Sequence, residues 1–87
     1  MDMNGKSLTT LDRMAAGQAG TVAQISGGRG FVNRLQALGI RPGKRITKVS
    51  AMFMRGPITI QMDNAQFALG LGMARRILVE LNSEGRR

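Results

Sequence analysis

Ser26-Gly27-Gly28-Arg29-Gly30-Phe31-Val32-Asn33-Arg34-Leu35-Gln36-Ala37-Leu38-Gly39-Ile40-Arg41-Pro42-Gly43 is where the hydrophobic period of the chain changes. Phe31, Leu35 and Leu38 fall at i, i+4 and i+7, which is one face of a short helix, and Asn33 and Arg34 lie off that stripe. Gly39 follows the last apolar residue, where a left-handed cap needs a residue without Cβ. Ile40 can then fold back over the last turn, and Pro42-Gly43 suits a tight turn into a strand. Before the helix, Ser26-Gly27-Gly28-Arg29-Gly30 breaks a strand. The run lacks the Gly-Lys-Ser/Thr ending of a P-loop and the spacing of a dinucleotide fold. Its glycines are read as steric, letting the strand turn sharply into the helix. Two helical turns do not hold alone, so the helix must dock on a larger surface.

On both sides the pattern is strand-like. Ser7 to Leu11 reads as a brief extended entry, and the pairs Ala16-Gly17 and Ala19-Gly20 read as turn punctuation. Thr21 to Ile25 is rich in β-formers. After Gly43, Arg45 to Met54 forms a long strand in which Ile46 and Val49 are out of phase, so a bulge or a change of face lies between them. Pro57 to Met62 alternates, with Ile58, Ile60 and Met62 on one face. The Asp63-Asn64 dipeptide makes a hairpin of Ile58–Met62 and Ala65–Leu69. Ile77, Val79 and Leu81 alternate again. Five or six short strands and one short helix predict an all-β fold, a small closed barrel with the helix as its plug. Pattern alone leaves SH3-like and OB-like barrels equally open.

The quoted run, through Ser26-Gly27-Gly28-Arg29-Gly30-Phe31, Arg34-Leu35 and Leu38-Gly39-Ile40-Arg41-Pro42-Gly43, resembles the signature of the ferrous-iron transport protein A (FeoA) family. Ser7-Leu8…Leu11, Gly56-Pro57-Ile58…Ile60, Phe67-Ala68-Leu69-Gly70 and Met73-Ala74-Arg75-Arg76-Ile77…Val79 resemble its remaining segments. The likeness runs from Ser7 to Leu81. It implies one SH3-like domain over residues 7–81, with flexible termini at 1–6 and 82–87. It also implies a non-enzymatic accessory or regulatory role in ferrous-iron uptake, with the cytoplasmic, GTPase-bearing part of a FeoB-type permease as partner. The same barrel ends the iron-dependent repressors of the diphtheria-toxin type, but the sequence has no room for their DNA-reading domain. Lys48 departs from the family, which more often buries an aliphatic residue there; Val49 is expected to take over that core position.

The chain has 87 residues, a net charge of +8 and 43% apolar residues. That composition fits one globular domain. With no cysteine, disulfides and thiolate metal sites are excluded. The N-terminus lacks a signal-peptide core, and no apolar run approaches the roughly 18 residues of a membrane span, so a cytoplasmic protein is expected. Histidine and tyrosine are absent as well. Acid–base work would fall to Asp12, Asp63, Glu80, lysines or the tail; no helical or strand spacing pairs Asp63 with Glu80, and no catalytic residue is assigned. Ferrous iron is commonly held by His and carboxylates, so neither a metal site nor a cofactor is expected. The seven methionines are read as core or interface filler.

Charge is placed unevenly. Arg29, Arg34, Arg41, Lys44, Arg45, Lys48 and Arg55 follow one another with no acidic residue between them. Such a field attracts anionic partners. The expected partner surface is therefore Arg29, Arg34, Arg41, Lys44, Arg45 and Arg55 for long-range attraction, with Met52, Phe53 and Met54 supplying apolar contact. An anionic membrane surface is compatible with this and would place the protein at the inner face of the membrane. Pairing of strand edges would give a homo-oligomer. The rival class is a basic barrel that binds nucleic acid. Such barrels stack bases on aromatic side chains, and of Phe31, Phe53 and Phe67 two fit the core, so no nucleic acid is expected.

Overall fold

The computed structural model describes residues 7–51 and 57–81, with side chains described for 7–49 and 57–81. Among these residues six strands form one antiparallel sheet: β1 (Ser7–Thr10), β2 (Ala19–Ile25), β3 (Arg45–Ala51), β4 (Ile58–Met62), β5 (Ala65–Leu69) and β6 (Ile77–Leu81). A 3-10 turn, Leu11–Arg13, follows β1; helix α1, Arg29–Ala37, lies between β2 and β3; a four-residue helix α2, Leu71–Ala74, precedes β6. The strand order is β1-β6-β2-β3-β4-β5. Among the described residues, β1 and β5 stand at the two ends of this order.

Inward residues from strands β2 to β6, both helices and the connection after β1 meet in one core. Val22, Ile46, Ile58, Ile60, Met62, Leu69, Ile77 and Val79 come from strands, Leu35 from α1, Ile40 from its exit, Ala74 from α2, and Leu11 and Met14 from the connection after β1. Strands whose side chains alternate can all contribute to one cluster only if the sheet curls around it. Two bulges assist the curl. One lies between Val22 and Gln24 in the β2–β6 pairing, the other between Lys48 and Ser50 in β3–β4.

The hairpin expected at Asp63-Asn64 is present, with Ile58 opposite Leu69 and Met62 opposite Ala65. Three expectations are corrected. Val49 does not enter the core: it is exposed, and Lys48, buried beside Ile46, holds the inward position. The bulge falls at Val49 itself, after Ile46 and Lys48 have shared a face. Leu38 caps α1 without burying; it is 41% exposed. Ala19 and Gly20 are strand, not turn, because β2 begins at Ala19 and Gly20 packs against β6.

The two ends of α1 have distinct origins. Gly27 lies at φ +136°, and a Cβ there would come within 2.8 Å of the Phe31 ring, so the turn into the helix is steric as expected. At the other end Gly39 lies at φ +97°. Ile40 N–H donates to Leu35 O at 3.0 Å and Gly39 N–H to Gln36 O at 2.9 Å, the paired bonds of a Schellman cap. The cap turns Ile40 inward and fixes how far α1 runs.

Candidate functional site: a basic surface around α1

Helix α1 is the hub of the exposed charge. Its Leu35 is fully buried and Phe31 and Val32 are half-buried, so the opposite side, with Arg29, Asn33, Arg34 and Gln36, faces solvent. The chain leaves α1 through Arg41 and returns to the sheet at Lys44 and Arg45. Val22 N–H donates to Lys44 O and Gly43 N–H to Val22 O, each at 2.8 Å. These bonds pin the basic turn to β2.

Of the expected partner residues, Arg29, Arg34, Arg41 and Arg45 are exposed. Among the described residues none of these four has an acidic partner. Lys44 differs: its ammonium lies 2.7 Å from Asp63 Oδ2. That pair neutralises one cation and ties the start of β3 to the β4–β5 turn. Arg45, Thr47, Gln61 and Asp63 line a shallow open cleft beside it. Arg55, Met52, Phe53 and Met54 lie outside the described residues.

Sequence reasoning missed two cations here. Ser26 N–H donates to Arg76 O at 2.8 Å, which brings the α2–β6 turn against the start of α1. The Arg76 guanidinium then sits 5.5 Å from the centroid of the Phe31 ring, within cation–π range. Arg75 is exposed next to it. Phe31 and Arg76 are 45 positions apart in sequence, and the Ile25–Ile77 pairing of β2 with β6 brings them together. No local pattern signals that pairing.

Lys48 leaves the basic surface altogether. It is 3% exposed, and its ammonium donates to the main-chain oxygens of Asp12, at 3.1 Å, and Met14. Burial pulls its pKa below the ordinary lysine value, and the charge of Asp12 partly opposes that shift. Asp12 Oδ1 is itself buried without a hydrogen-bond partner among the described residues.

Among the described residues, no group of three or more His, Cys, Asp or Glu side chains is placed to hold a metal ion. No helix among them is long and apolar enough to cross a membrane. Phe31 and Phe67 are partly buried against the core. Among the described residues, these features define a small six-stranded β module with a helix-centred cationic surface.

The class and the family agree. The model of the FeoA domain matches residues 9–81, and the chain belongs to the FeoA family. A crystal structure of an iron uptake regulatory protein (FeoA) is 32% identical, with a TM-score of 0.82 over 87% of this chain and 100% of that one. A Stenotrophomonas maltophilia FeoA complexed with zinc, described as a prokaryotic SH3 domain protein, is 23% identical, with a TM-score of 0.70 over 82% of this chain and 88% of that one. The fold is therefore SH3-like, and the OB-like alternative falls. A manganese-dependent transcriptional repressor is 26% identical with a TM-score of 0.79; the likeness covers 86% of this chain but 42% of the repressor. No curated protein matches.

Proposed function

We propose that this protein is a non-enzymatic accessory module of ferrous-iron uptake that acts by binding the cytoplasmic part of a FeoB-type permease. The observation that carries the reading is the joint one of FeoA membership and exposed arginines without acidic partners, Arg29, Arg34, Arg41 and Arg45. The S. maltophilia relative is described as a candidate ferrous-iron transport activating factor. Unpaired surface cations accelerate encounter with an acidic partner without being spent on the fold. The protein works in the cytoplasm, at the inner face of the membrane when its partner is there. Met52, Phe53, Met54 and Arg55 remain part of the proposed contact on sequence grounds.

The test is binding to the full-length permease of the same organism in nanodiscs of zwitterionic lipid. Arg34→Glu combined with Arg45→Glu slows association and flattens its salt dependence, whereas Phe53→Ala speeds dissociation if that ring anchors the contact. A protein that ignores the permease but holds an oligonucleotide at physiological salt would replace this reading with the nucleic-acid one.

A further inference from the structure

The exposed face of α1 carries a row that the fold does not need. Gly30, Arg34 and Leu38 stand at i, i+4 and i+8, with Ala37 beside them, and all four are exposed. A row of this spacing is the ridge by which one helix packs against another. Each member is anomalous as a purely structural residue. Leu38 continues the apolar stripe of the helix, yet it is 41% exposed. Gly30 lowers the helix propensity of the first turn, though its φ is not positive and a Cβ there would meet nothing within 4 Å. Arg34 stands between them with no acidic partner among the described residues. A glycine that neither backbone angle nor space requires leaves a notch of bare backbone, which allows close approach from outside.

We propose that this face seats an acidic amphipathic helix of the protein partner, with Gly30 and Ala37 as the close-approach surface, a carboxylate on Arg34 and an apolar side chain against Leu38. The inference rests on the permease reading above and specifies which surface that reading uses. Charge complementarity selects an acidic occupant, because Arg29 and Arg34 stand exposed on α1, the exposed Arg41 follows its exit, and no acidic side chain lies on α1. Two features select a helix over a lipid surface. The notch has value only for close backbone packing, and no aromatic side chain stands exposed on α1 to enter an interface.

The experiment compares wild type, Gly30→Gln, Leu38→Ser and Arg34→Glu for binding to the permease in zwitterionic nanodiscs. A photo-cross-linking residue at position 33, exposed on α1 outside the close-approach surface, identifies the contacted segment. Gly30→Gln is expected to weaken binding by about tenfold while raising or preserving the melting temperature, a combination that a structural role would not produce. Leu38→Ser weakens it similarly through faster dissociation, and Arg34→Glu through slower association. The cross-link falls on a helical segment rich in Asp and Glu. Undiminished binding by all three variants overturns this face and leaves the permease reading standing. No binding by wild type overturns both. A cross-link to lipid, or equal binding to empty nanodiscs of anionic lipid, overturns the helical occupant.

Discussion

The ammonium of Lys48 donates to the main-chain oxygen of Met14, and so joins the middle of β3 to the segment that follows β1. The main chain of Lys48 reinforces the link: its carbonyl accepts from Gly17 N–H, and its N–H donates to Gln18 O at 2.9 Å. One residue thus fastens residues 12–18 along their length, and that segment carries Met14 into the core, directly after Leu11. Truncation to Lys48→Ala leaves a cavity and two carbonyls that lose their donor. A loss of about 2–3 kcal/mol is expected, measured by denaturant unfolding, with Lys48→Met milder because it refills the volume.

Lys48 also sets a pH dependence. Its pKa is lowered in the folded protein, chiefly by burial, so between that value and 10.5 the unfolded chain binds more protons than the native one. Stability therefore rises with pH through this window. A neutral amine still has two N–H donors for the two carbonyls, so the latch survives deprotonation. Unfolding curves taken from pH 8 to 11 should show the wild type gaining on Lys48→Met; parallel curves would mean that the ammonium is not desolvated.

Gly39→Val is expected to destabilise the fold by about 1–2 kcal/mol, because a β-branched residue is strained at a left-handed cap. Gly39→Asn should cost less, since Asn tolerates that region. The neighbour that a Cβ meets, Met62 Cε at 3.2 Å, is the flexible end of a side chain, so backbone strain and not collision dominates. Equal melting temperatures for Gly39→Val and Gly39→Asn would contradict this.

Gly20→Ala tests the opposite situation. Its φ is not positive, but a Cβ would lie 2.5 Å from Val79 Cγ1 and 2.7 Å from Glu80 O. Main chain cannot swing aside as a methionine tip can, so β2 and β6 must separate. A cost of about 2–3 kcal/mol is expected, read as a fall in denaturant midpoint with an unchanged slope. A midpoint equal to wild type would show that β2 and β6 part freely.

Ferrous iron should bind this protein no more tightly than about millimolar. The donor set lacks His and Cys, and a net charge of +8 repels a dication. Anaerobic calorimetry that returns a stoichiometric micromolar site would overturn the expectation.

Residue types and short spacings determined much of this protein. The i, i+4, i+7 stripe placed α1, the glycine after Leu38 placed its end, alternation at Ile58, Ile60 and Met62 placed the hairpin face, and Asp63-Asn64 placed its turn. These are local matters, settled by side-chain period and by the φ values a residue tolerates, and a sequence states both directly. Tertiary structure decided what depends on a distant neighbour. Lys48 belongs to the basic run of the sequence and lysine is rarely buried, whereas its inward place follows from the carbonyls of Asp12 and Met14, more than thirty residues earlier. Gly20 reads as a turn in the sequence because nothing in its own segment announces Val79 and Glu80. Arg75 and Arg76 joined the basic surface only through the pairing of β2 with β6. Leu38 kept the helical period and still stayed in water, because period fixes a direction on the helix and only the packed neighbours decide whether that direction is covered.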